Sequence, residues 1–141
     1  MTRKALERIY WLKRELRMWE DRLHELEADM APDTPAADGM PHSTTNAIKS
    51  PTEDKAILIA DHYSIISGKA AELRIAIKEV ETFIVNIDDP IVRQIIEYRC
   101  VKLNAWEDVA DRMGSPYTAE NVRQIYHRFV TNMERKVVEN G

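Results

Sequence analysis

Between Thr118 and Arg128 the chain reads TAENVRQIYHR, and its polar side chains are of the types that hydrogen-bond to base edges. Arginine can bond guanine through two nitrogens, glutamine or asparagine can do the same for adenine, and glutamate can accept from cytosine N4. As a helix, this stretch turns Val122, Ile125 and Phe129 inward, with Tyr126 or Met133 beside them. Glu120, Asn121, Arg123, Gln124 and His127 are left on the outer face as candidates for base contact. Thr118, Arg112 and Arg128 are candidates for contact with the phosphate backbone. The expected chemistry is recognition without reaction. The four histidines (His24, His42, His62, His127) are scattered, and no Cys/His spacing suggests zinc. The carboxylates lie among basic residues on helical faces, and no glycine-rich phosphate loop or nucleophile motif occurs. No catalytic residue, no metal and no cofactor is expected, and the chain is not read as an enzyme.

A reading helix must be held by a second helix. Trp106, Val109, Ala110 and Met113 fall on one side of the preceding segment, with Ala110 small enough for a close crossing. Asn104 is expected to cap that segment, with Glu107 reaching back to its amide. Gly114-Ser115-Pro116 ends it, because glycine accepts a left-handed cap and proline cannot continue a helix. Thr118 caps the next helix, expected over 119–136, and Glu120 suits the positive end of its dipole. Upstream, Asp89-Pro90 starts a further helix with Ile91, Ile95, Ile96, Tyr98 and Val101 on its apolar side.

The first two thirds of the chain carry two heptad seams. Ala5, Ile9, Leu12, Leu16, Trp19, Leu23, Leu26 and Met30 step by four and three, and Trp11 falls off this seam. Ala56, Ile59, Tyr63, Ile66, Ala70, Leu73, Ile77, Val80, Ile84 and Ile87 continue the pattern after Ser50-Pro51-Thr52-Glu53, which reads as a capping box. The segment between them, APDTPAADGMPHSTTN, has no periodicity and reads as a flexible loop. The expected fold is all-α: a first coiled-coil-like helix within 1–30, a loop over 31–50, a second long helix over 51–87, and a helix-turn-helix unit over 88–141. The two long helices are expected to pair as an antiparallel hairpin, with pairing between chains left open.

The stretch from Ile91 to Met133, with AWEDVADRM and TAENVRQIYHRFV, resembles region 4 of bacterial sigma factors. The whole layout resembles phage and prophage regulators of the ArpU/RinA type: a long helix, a loop with Ser-Pro, a second long helix, then a sigma-like helix-turn-helix. That resemblance implies a small DNA-binding transcriptional regulator, with base-reading positions falling on Ala119, Glu120, Arg123 and Gln124. Two departures stand out. Ala119 replaces a basic residue common in sigma factors, and Gly114-Ser115-Pro116-Tyr117 makes the turn longer.

Charge complicates the picture. The 141 residues carry a formal net charge of −4, yet Arg112 to Lys136 holds five basic residues against two acidic ones. Phosphate affinity follows local charge, and dimerisation would double this small surplus. The expected partners are double-stranded DNA, a second copy in a homodimer, and RNA polymerase. No membrane partner is expected, because nothing approaches ~18 consecutive apolar residues. The single Cys100 cannot form an internal disulfide, which fits the reducing cytoplasm of a bacterial host cell. Two alternatives stay open: an oligomeric DNA-packaging component like a small terminase, and a helical protein-binding adaptor with no DNA site.

Overall fold

The computed structural model describes residues 1–30 and 51–140, and the side chains of Met30 and Pro51 are not among those described. The described residues are helical, with no strand: α1 (Arg3–Met30), α2 (Pro51–Val85), α3 (Pro90–Ile96), α4 (Trp106–Met113) and α5 (Ala119–Asn140), with a π-helical turn Glu97–Val101 continuing α3. The loop expected over 31–50 and the Ser50 cap lie outside the described residues.

Two compact units divide the chain, one of residues 15–70 and the other of residues 1–14 with 71–141. Both long helices therefore contribute to each unit. In the unit 15–70, α1 and α2 run antiparallel. Lys69 Nζ meets Glu15 Oε1 at 2.6 Å. Trp19 stands edge-on to the buried ring of His62, with centroids 5.5 Å apart. The His62 Nδ1–H donates to the Leu58 carbonyl at 2.8 Å, so this imidazole is a satisfied packing group. Tyr63, read from the sequence as a seam residue, is instead 55% exposed and donates its hydroxyl to Glu27. His62 occupies the inner face in its place, on the same helical face as Ile59 and Ile66, which stay half-buried.

In the other unit, Leu6, Ile9 and Leu12 of α1 join Ala76 and Val80 of α2 in one core with Val92, Ile95, Ile96, Val109, Val122, Tyr126 and Val130. The seam again needs correction. Leu6 is fully buried and Ala5 only half-buried. The larger side chain takes the inner position because α1 here packs against α2 and the C-terminal helices together. Ala76, small enough for a close approach, is buried where Ile77 was expected, and Ile77 is half-buried.

Local signals set the ends of these elements. Thr2 Oγ1 accepts the Ala5 N–H at 3.1 Å and so caps α1. Asp89 Oδ1 accepts the Ile91 N–H at 2.9 Å and Pro90 occupies the first turn of α3, as the sequence indicates. The π turn closes with the Lys102 N–H on the Glu97 carbonyl at 3.0 Å, and Leu103 then takes a left-handed φ of 58°. That left-handed residue redirects the chain into α4.

Candidate nucleic-acid interface

Helices α4 and α5 are joined through residues 114–118 and pack together on α3. Gly114 closes α4 at φ 82°, ψ 172°, and its N–H still reaches the Ala110 carbonyl at 3.0 Å. Side chains other than glycine strongly disfavour that backbone region. The Asn104 capping box does not form. Ala105 occupies the cap position of α4 with no side-chain bond, while Asn104 holds the preceding turn through its backbone. Its N–H donates to the Tyr98 carbonyl at 2.9 Å and its carbonyl accepts from Arg99 at 3.0 Å. Asn104 Nδ2 is buried without a hydrogen-bond partner among the described residues. Thr118 does cap α5, its Oγ1 accepting the Asn121 N–H at 3.1 Å.

The inner stripe of α5 is Val122, Tyr126 and Val130, all buried, flanked by half-buried Ile125, Phe129 and Met133. Val122 and Tyr126 are inward as expected, Val130 joins them at the centre of the stripe, and Ile125 and Phe129 stand at its edge. Among the sequence candidates, Glu120, Asn121, Arg123, Gln124 and Arg128 are exposed on α5, as are Thr118 before it and Arg112 on α4. The structure brings three of them into one cluster. Arg123 donates Nε to Glu120 Oε2 at 3.2 Å and a terminal nitrogen to Glu120 Oε1 at 2.7 Å. Gln124 Nε2 donates to the same Oε1 at 3.1 Å. Hydrogen bonds from Arg123 hold the Glu120 carboxyl below the usual carboxylate range, and the same pairing raises Arg123. The cluster orders three polar side chains in the first turns of α5. It also cancels the one cation at its centre.

His127 is placed differently. Its ring is half-buried, and Arg3 donates a guanidinium N–H to its Nδ1 at 3.0 Å. Burial, followed by the nearby Arg3 charge, lowers its pKa and favours the neutral imidazole that this bond requires. The Arg3 backbone N–H donates to Glu134 Oε1 at 2.9 Å. The first turn of α1 thus lies against the middle of α5. Arg112, a phosphate candidate, stands over the Tyr98 ring at 5.5 Å.

Beside α5, a groove of about 540 Å³ is lined by Tyr10, Trp11, Arg99, Trp106, Tyr126 and His127, among others. Arg99 lies over the Trp106 ring at 4.3 Å, a close cation–π contact. Cys100 is buried, with its Sγ 3.8 Å from the Tyr126 hydroxyl, and burial pushes its thiol up to about 11. No group of three or more His, Cys, Asp or Glu among the described residues could hold a metal ion, and no described helix is long and apolar enough to cross a membrane.

Sequence reasoning missed Arg3 and Arg99. Arg3 is 131 residues from Glu134, and no local signal links them. Only the burial of Leu6 and Ile9 against the C-terminal helices brings it there. No protein-family model, no curated protein and no solved structure matches this chain.

Proposed function

We propose that this protein is a sequence-specific DNA-binding regulator of transcription, of phage or prophage type, in which α4 and α5 act as a helix-turn-helix. The observation that carries the reading is the exposed Glu120–Arg123–Gln124 cluster. It lies at the N-terminal end of a helix whose opposite stripe is buried on α4 and α3. The N-terminal turns of such a helix enter the major groove. Arg123 keeps one terminal nitrogen outside its pair with Glu120, and Gln124 keeps its carbonyl oxygen as an acceptor. Each well-made contact to a base edge discriminates by about 1–3 kcal/mol. Thr118, with its hydroxyl at the cap, and the exposed Arg128 and Arg112 are suited to phosphates. The resemblance of Ile91–Met133 to sigma region 4, and of the whole layout to ArpU/RinA-type regulators, supports the assignment to phage regulation. A homodimer is supported by apolar side chains that the unit 15–70 leaves exposed on α2, Ile57 at 58% and Leu58 at 43%.

The test is selection of bound duplexes from a random pool, followed by gel shifts with Arg123→Ala and Gln124→Ala. Each variant is expected to lose discrimination at one position of the selected site while its circular dichroism stays that of the parent. Unchanged specific binding in both variants would refute the reading. Light scattering bears on the mode of action: a dimer fits a regulator, whereas a ring of many copies would point to DNA packaging.

A further inference from the structure

The proposed reading helix supplies little net attraction for DNA. At its centre the Arg123 charge is spent on Glu120, and the whole chain is acidic, at −4. The deficit is not evenly spread. The unit of residues 1–14 and 71–141 holds fifteen Lys and Arg against thirteen Asp and Glu, so the negative excess lies in the other unit. Within the first unit, residues 1–14 contribute five cations (Arg3, Lys4, Arg8, Lys13, Arg14) against the single carboxylate Glu7.

The first turn of that segment is fixed beside α5. The Arg3 amide is held by Glu134 and the guanidinium by the neutral ring of His127. His127 and Glu134 stand four and eleven residues after Arg123, on the flank of α5 that also carries Glu120. His127 is therefore about 6 Å along the axis from Arg123, at ~1.5 Å per residue. Among the described residues, neither the Arg3 guanidinium nor the Lys4 ammonium is ion-paired, and Lys4 is exposed. Arg128 follows His127 by one residue, about 100° around the helix, and is exposed on the other flank. Arg3, held on His127, and Arg128 thus both follow the Glu120–Gln124 cluster along α5 and stand about 100° apart around it. A major groove about 12 Å wide presents a phosphate strand at each of its edges.

We infer that the first turn of α1 is part of the DNA surface, with Arg3 and Lys4 contacting the phosphates of one strand while Arg128 contacts those of the other. The inference rests on the proposed DNA reading and names the residues that give it affinity. It also locates, inside one chain, positive charge that adds to the small surplus around α5. A second copy is then not needed to make a single site attractive to DNA.

The test is the salt dependence of binding to the selected duplex and to a random duplex, for the parent, Arg3→Gln/Lys4→Ala and Lys4→Glu. Each lost phosphate contact lowers the slope of log K against log salt by about 0.9, so the double variant should lose about 1.8. Raising salt from about 50 to about 200 mM should then cost the double variant about twelvefold less affinity than it costs the parent. The loss at fixed salt should be the same factor on both duplexes, because phosphates carry no sequence. Lys4 is exposed, so Lys4→Glu should weaken both duplexes even where Arg3→Gln loosens the fold. Parent-like slopes and affinities in Lys4→Glu and in the double variant, with Arg123→Ala still losing discrimination at one position of the site, would overturn the inference and leave the proposed function standing. A parent that binds no duplex at low salt would overturn both.

Discussion

Replacing Leu6 with Ala tests whether the start of α1 belongs to the C-terminal core. By the heptad pattern Ala5 is the seam residue and Leu6 lies outside it, so the pattern alone makes Leu6→Ala a mild surface change. In the structure Leu6 has 0% exposure and lies in one core with Val109, Val122 and Tyr126. The substitution removes three side-chain carbons. At about 0.8 kcal/mol per buried methylene, the transfer cost alone is about 2.4 kcal/mol. The partly collapsed cavity adds to this, and buried Leu→Ala changes span about 2–5 kcal/mol, so about 3 kcal/mol is expected. For a chain of this size, that lowers the Tm by roughly 10–15 °C. The comparator is Trp11→Ala. Trp11 is 62% exposed and meets Tyr10 edge-on, so its loss should cost below about 1 kcal/mol. Urea unfolding followed by circular dichroism measures both, with an unchanged m-value showing that stability alone has moved. A Leu6→Ala cost below about 1 kcal/mol, or one no larger than that of Trp11→Ala, would refute the docking of α1. It would also remove the basis for placing Arg3 beside α5.

Three further outcomes are expected. Gly114→Ala should cost about 1–3 kcal/mol through backbone strain alone, since at φ +82° an added Cβ meets nothing within 4 Å; denaturant melts measure this. Because the folded-state pKa of His127 lies below its ordinary value, the unfolded chain binds the proton more readily. Its contribution to stability should therefore be present above about pH 6.5 and fall as pH drops from there through the folded pKa; Tm against pH should show this, and His127→Gln should flatten that part of the profile. With its thiol pushed up to about 11 and buried, Cys100 should resist a thiol reagent at about pH 8, where roughly one part in a thousand is thiolate, and react at once in denaturant; rapid labelling of the folded chain would contradict the buried Cys100–Tyr126 contact.

Much of the local structure follows from short-range signals and was legible in the chain. Asp89-Pro90, Gly114 and Thr118 mark helix ends because each acts on backbone groups within a few residues, and all three do so here. The outer face of α5 was legible too, since Val122 and its neighbours fix which side is apolar. The Asn104 cap failed because a residue that can cap need not. Here the backbone of Asn104 closes the turn after the π helix, and Ala105 takes the cap position. The seams were legible as apolar stripes, but their facing was not. A heptad pattern assumes a single partner helix, whereas α1 between Leu6 and Leu12 packs on several helices at once and turns Leu6 inward.

By itself the sequence determined an all-helical chain, the starts of α3 and α5, and the exposed set Glu120, Asn121, Arg123, Gln124 and Arg128. Periodicity and capping act over one or two turns and need no knowledge of the rest of the chain. The tertiary structure alone decided that Arg3 lies against His127 and Glu134, that Glu120 neutralises Arg123, and that residues 1–14 share a core with residues 71–141. Which distant side chains meet is set by burial of apolar surface, and that force carries no record of sequence separation.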